Sequence, residues 1–207
     1  MKTNVYVDGF NLYYGCLKET PYRWLDLAKL CHLAFPKNTV NRIRYFTAPV
    51  KARPTDPQKP VRQQAYIRAI QTLPNLTVHY GHYLENVTRM PLANPPAHGP
   101  RTVEVIRADE KGSDVNLATY LLVDGFQGEF QVAVVVSNDS DLLEPIKVVR
   151  NTLGLRVGLL NPHEYPSLAL RDVATFYKQI RKGLLKASQF PNTLHDAHGT
   201  ITKPAAW

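Results

Sequence analysis

The chain has 207 residues, 44% of them hydrophobic and 20% charged, with a formal net charge of +8; it is long enough for one domain with a real core. That balance excludes wholesale disorder and collagen-like or low-complexity architecture, and no apolar run is long enough to span a bilayer. Cys16 and Cys31 have no Cys or His at zinc-ligand spacing, and Met1 to Asn4 lead into a strand rather than a signal peptide, so a cytoplasmic protein with no membrane partner is expected. The first predicted strand, Asn4 to Val7, ends at Asp8 and the turn Gly9-Phe10-Asn11, followed by helix-compatible Leu12 to Lys18. Helical spacing returns over Trp24 to Leu33, and Asn41 to Thr47 reads as a second strand. Pro49, Pro54, Pro57 and Pro60 mark a loop before a helix from Arg62 to Leu73, with a third strand from Leu76 to Tyr83. Pro91, Pro95, Pro96 and Pro100 fall in an excursion at about 84–107 that ends in a strand from Thr102.

An amphipathic helix is expected from Lys111 through Val123, then a continuous apolar run, Phe130 to Val136, of the kind that forms a central parallel strand. Ser137-Asn138-Asp139-Ser140-Asp141 precedes a helix to about Asn151, a strand at Leu155 to Leu160 and a helix over Leu168 to Leu185. Strand and helix alternate, which predicts an α/β fold with a mostly parallel central sheet flanked by helices. The main domain is expected at 1–186, and the polar residues 187–207 read as a C-terminal tail that either docks or stays mobile.

Charge is polarised along the chain. Residues 36–70 carry Lys37, Arg42, Arg44, Lys51, Arg53, Lys59, Arg62 and Arg68 against Asp56 alone, a net +7, whereas 101–146 carry nine acids against Arg101, Arg107 and Lys111, a net −6. Cations attract a polyanion and clustered carboxylates admit it only through a divalent ion, which suits metal-assisted chemistry on a phosphate backbone. A solvated basic surface accounts for the charge excess equally well.

In open parallel sheets ligands bind beyond the carboxyl ends of the strands. Asp8 ends the first strand, Asp139 and Asp141 follow the most apolar one, and Asp114 opens the helix before it, so four carboxylates are expected to converge. Oxygen-rich clusters of this kind hold Mg²⁺ or Mn²⁺. Each residue also has a structural explanation. Asp8-Gly9 makes a turn, Asn11 or Ser113 can cap a helix, and Asp141 with Glu144 resembles a capping box. Ser137 and Asn138 can support the carboxylates or simply form the turn.

Three segments carry a resemblance: Val5-Tyr6-Val7-Asp8-Gly9-Phe10-Asn11-Leu12, Lys111-Gly112-Ser113-Asp114-Val115-Asn116-Leu117-Ala118 and Val136-Ser137-Asn138-Asp139-Ser140-Asp141-Leu142. Together they resemble the NYN domain of the PIN-like nuclease superfamily. The resemblance implies a PIN-like three-layer sandwich and divalent-metal phosphodiester hydrolysis, most often of RNA. It also implies Asp8, Asp114, Asp139 and Asp141 as catalytic and metal-binding acids, supported by Asn11 and Ser137. Many relatives place a further acid where this chain has Tyr120, and Asp124, one turn on, points in a different direction.

Lys111 reads either as a phosphate contact or as a solvated lysine. Arg42, Arg44, Arg53, Lys59 and Arg62 are candidate backbone contacts, and Tyr13, Tyr14 and Tyr45 can stack on bases or pack in the core. The competing class is a non-catalytic or weakly catalytic nucleic-acid-binding regulator; homo-oligomerisation is left open. A haloacid-dehalogenase-type phosphatase wants a second Asp where Phe10 stands, and no dinucleotide fingerprint, phosphate loop or serine-hydrolase elbow occurs. His79 and His82 are expected on opposite faces of a strand, which argues against a shared metal.

Overall fold

The computed structural model describes residues 1–207. Its centre is a six-stranded parallel sheet in the order β3 (Leu76–Tyr80), β2 (Thr39–Thr47), β1 (Lys2–Asp8), β6 (Val132–Val136), β7 (Arg156–Asn161), β8 (Phe176–Gln179). Buried on both faces, β6 is apolar throughout and its side chains divide by alternation. Val132, Val134 and Val136 join Val5, Val7, Leu12, Trp24 and Ile70 in one core layer, while Ala133 and Val135 join Tyr6, Leu117, Leu121 and Ile146 in the other. The first layer lies under α1 (Gly9–Leu12), α2 (Leu27–Ala34), α3 (Lys59–Gln71) and α7 (Lys182–Ala187). The second lies under α4 (Ser113–Phe126), α5 (Leu143–Lys147) and α6 (Leu168–Val173). This is the α/β three-layer sandwich the alternating pattern implies.

Three elements differ from the expected ones. The helix expected over 168–185 is two short helices with β8 between them: the ring of Phe176 lies where a side chain on Gly158 would stand, so β7 accepts a sixth strand against its edge. The third strand stops at Tyr80, because Gly81 lets the chain pass close to Glu110 and Lys111. A second strand, β4 (His82–Pro91), then pairs antiparallel with β5 (Thr102–Lys111) as a two-stranded arm whose tip holds the prolines. The first helix begins at Gly9 rather than Leu12 because Asp8 caps it, and it continues as a wider π-type turn over Tyr13–Leu17.

Residues beyond α7 fold back as the hairpin β9 (Thr193–Asp196) and β10 (Gly199–Thr202). Phe190 and Ile201 are buried, the indole N–H of Trp24 donates to the Pro191 carbonyl (2.8 Å), and Arg68 grips Asp196 through two hydrogen bonds. No helix is long and apolar enough to cross a membrane.

Candidate active site

The carboxyl ends of β1 and β6 are neighbours, since Val7 pairs with Val136. Asp8, only 4% exposed, therefore meets Ser137 directly: its Oδ2 accepts the Ser137 hydroxyl (2.9 Å), while Oδ1 accepts the Asn11 N–H (2.9 Å) and so caps α1. Ser137 Oγ in turn accepts the Asp139 N–H (3.1 Å), and Asp139 Oδ1 accepts the Asp141 N–H (3.0 Å). Asn11 Oδ1 accepts the Asn138 N–H (2.9 Å), and the Asn138 amide ties the loop to Ser167 and Tyr165. Asp139, not Asp141, is thus the cap of its turn, and Asn11 is a brace between two strand ends rather than a helix cap.

Asp114 reaches the same edge from the first turn of α4, which Gly112 opens in a left-handed conformation (φ 99°) suited to glycine. Burial pushes the Asp8 carboxyl up to about 6, with the Asp114 and Asp139 charges adding and the Asn11 and Ser137 hydrogen bonds opposing. Asp114 is also raised, first by burial and then by Asp139, Glu110 and Asp141. Four acids therefore share one electrostatic field, with Asp141 exposed at the rim. Their oxygens stand at Coulombic rather than ligand range: no three His, Cys, Asp or Glu side chains are gathered closely enough to hold an ion as they stand. The donor set is nonetheless the hard, all-oxygen kind that fits Mg²⁺ or Mn²⁺, and a cation there would offset both the burial and the carboxylate repulsion that raise Asp8 and Asp114.

Glu110 is a residue sequence reasoning passed over. From the end of β5 it accepts the Ser113 hydroxyl (2.7 Å) and N–H (3.2 Å), satisfying the start of α4 and adding charge beside Asp114. The signal was a Glu three residues before a Ser across a glycine. Lys111 is exposed, opposite His82 in the arm.

The basic candidates separate. Arg44 is a correction: 9% exposed, its guanidinium binds Asp124 by two hydrogen bonds (2.8 and 2.7 Å) and lies 4.4 Å from the Tyr120 ring centroid. Arg42 approaches the same carboxylate (3.6 Å), so both serve the sheet-to-α4 layer. Asp124 is 1% exposed and also accepts the Tyr6 hydroxyl (2.7 Å), a structural acid. Tyr120 packs against His79 (4.1 Å between centroids), which stacks on Phe46. Tyr45 is buried and belongs to the core, whereas Tyr13 is half-buried and Tyr14 exposed. Lys59 and Arg62, the latter paired with Asp56, line a cleft together with Phe10, while Arg53 is exposed on the loop before them.

Fold and site define an open α/β protein of PIN-like architecture with an acidic centre at the carboxyl edge of its sheet. The model of the NYN domain matches residues 2–181, and the chain belongs to that nuclease-like family. It is 31% identical, over all of its length and 75% of the relative's, to a protein of Pseudomonas putida named 6-hydroxy-3-succinoylpyridine 3-monooxygenase HspA. A crystal structure of a protein of unknown function from Vibrio parahaemolyticus superimposes with a TM-score of 0.57 at 16% identity, covering 87% of this chain and 93% of that one, a likeness of fold.

Proposed function

We propose that this protein is a cytoplasmic metal-dependent nuclease, a ribonuclease that hydrolyses phosphodiester bonds with Mg²⁺ or Mn²⁺ as cofactor and RNA as partner. The observation that carries this reading is Asp8, a buried carboxyl raised to about 6 in part by Asp114 and Asp139 at the end of the central strand pair. Such a site is stable and ionised at neutral pH when a cation is present. Asp8, Asp114 and Asp139 would hold the ion, with Asp141 at the rim. When bound, the ion supplies charge neutralisation at a phosphoryl oxygen and acidifies a water. The chain's own residues fix the geometry: Ser137 and Asn11 orient Asp8, and Asn138 holds the loop that carries Asp139. Arg53, Lys59 and Arg62 would take flanking phosphates. The test is cleavage of single-stranded RNA in Mn²⁺ against EDTA. The wild type should cut only with the ion, leaving 5′-phosphate ends, and Asp8→Asn and Asp139→Asn should each lose at least about a hundredfold. Binding without cleavage in Mn²⁺ would favour the regulatory class, to which Tyr120 in place of an acid lends support.

A second reading joins the name of the Pseudomonas putida relative to the aromatic cleft beside Asp8: oxygenation of a small hydroxypyridine. Oxygen uptake on adding such a substrate with a reductant distinguishes it from hydrolysis.

A further inference from the structure

The chain just after Asp8 borders a cleft that mixes aromatic and cationic side chains. Phe10, Tyr13, Tyr14 and Trp207 supply the rings, with Arg23 over the Trp207 ring (5.7 Å), and Lys59 and the Asp56-paired Arg62 of α3 supply further positive charge. Tyr13 and Tyr14 meet edge to face at 5.2 Å, and Tyr14 is 53% exposed, so ring surface is offered to solvent. Trp207 is seated on Trp24 and Tyr66, with centroids 6.1 and 6.0 Å away. The loop before α3 is pinned by Gln63, which accepts the Val50 N–H (2.8 Å) and donates to the Ala48 carbonyl (2.9 Å). A Cβ on Gly9 would collide with the Tyr45 hydroxyl and the Phe46 carbonyl, so only glycine lets the start of the first helix pack this closely on β2 and bring Phe10 to the cleft.

We propose that this cleft is a base-stacking subsite, seating one unpaired nucleobase of a single-stranded nucleic acid beside the acidic centre; the assignment rests on the nuclease reading above. Aromatic rings accept any base through its π-face, and cations beside them take the flanking phosphates. Gly9 and Phe10 follow Asp8 in the chain, and Tyr45, which also lines the cleft, lies within the field of Asp8, so a base held here belongs to a nucleotide near the phosphate that reaches the carboxylates. A paired base is already stacked on both sides and cannot enter without leaving its helix. The cleft therefore selects single strands over duplex.

The experiment is binding by the full chain in EDTA, where no cleavage intervenes, followed by fluorescence anisotropy of a labelled short oligoribonucleotide. Its comparators are the same strand with single abasic positions, its duplex, and nicotinate as a small heteroaromatic acid. The wild type should bind the intact strand about 5- to 100-fold more tightly than the strand abasic at one position. Tyr14→Ala, an exposed substitution that leaves the fold intact, should weaken the intact strand to a similar degree and abolish the abasic effect; Tyr14→Phe should restore both. Equal affinity of the wild type for intact and abasic strands, or an unchanged Tyr14→Ala, overturns the subsite. So does nicotinate displacing nothing while itself binding in a Tyr14-dependent way, which would assign the cleft to a small acid. Because no catalytic step enters these measurements, a protein that fails to cut in Mn²⁺ still reports on the subsite, and an active nuclease can still lack it.

Discussion

Asp8 is held where its charge is unwelcome. Its carboxyl titrates near 6 in the fold against 3.8 as an unperturbed acid, so between those values the folded chain binds more protons than the unfolded one. Stability of the ion-free protein therefore falls as pH rises from about 4 to about 6, and above that the destabilisation stays at up to about 3 kcal/mol. Asp8→Asn keeps a side-chain oxygen to cap α1 and removes the charge. In EDTA at neutral pH it should melt higher than the wild type, and the advantage should vanish below about pH 4; equal melting temperatures at both pH values would contradict the assignment. Asp124 has the opposite sign. Burial raises its carboxyl, but the hydrogen bonds from Arg44 and Tyr6 and the charges of Arg44 and Arg42 outweigh burial and hold it below the usual range. Its contribution is present above about pH 4 and lost as pH falls through the depressed value. Asp124→Ala strands the buried Arg44 and should cost about 3–5 kcal/mol in urea unfolding. Both acids sit in the sequence as ordinary aspartates. The motif marks Asp8 for function, and only the packing of β2 against α4 marks Asp124 for structure.

At the scale of elements, the parallel strands were legible because apolar runs bounded by turns have few other destinations, and β6 was the clearest. β8 was not. Four residues, Phe176 to Gln179, are too short to interrupt a helical pattern on their own, and what makes them a strand is a distant glycine, Gly158, that leaves room for the Phe176 ring. The arm of β4 and β5 is the other case. Its alternation is weak because both faces are wet, with Val87 and Ile106 paired yet 70% and 76% exposed. A lone two-stranded ribbon adds little to stability. Replacing residues 85–108 by a short turn, while keeping Tyr83 and Glu110, should leave the melting temperature within a few degrees of the full chain. Loss of a cooperative transition would show that the arm is part of the core.

For the whole molecule, the basic stretch reads differently once folded. Arg42 and Arg44 face Asp124, Arg68 pairs with Asp196 and Lys51 with Glu85, so much of the local +7 is met by acids from elsewhere, while Arg62 pairs with Asp56 inside the stretch. If Arg53, Lys59 and Arg62 are the phosphate contacts, the plot of log affinity against log salt for a single strand should have a slope near −2. A slope steeper than about −5 would place the interface on other lysines and arginines. The C-terminal hairpin belongs to the same accounting. It caps Trp24 and buries Phe190 and Ile201, so a chain ending at Ala187 should lose about 4 kcal/mol or more in denaturant unfolding.

The sequence alone determined the alternating architecture, the strand ends at which Asp8 and Asp139 fall, and the family, because these depend on local patterns and on the topology rules of parallel sheets. The tertiary structure decided which charges are free. An arginine's partner, a tyrosine's exposure or a glycine's neighbour depends on elements tens to more than a hundred residues apart. That is why Arg44 turned inward to Asp124, Tyr45 joined the core and Trp207 came to rest on Trp24 and Tyr66.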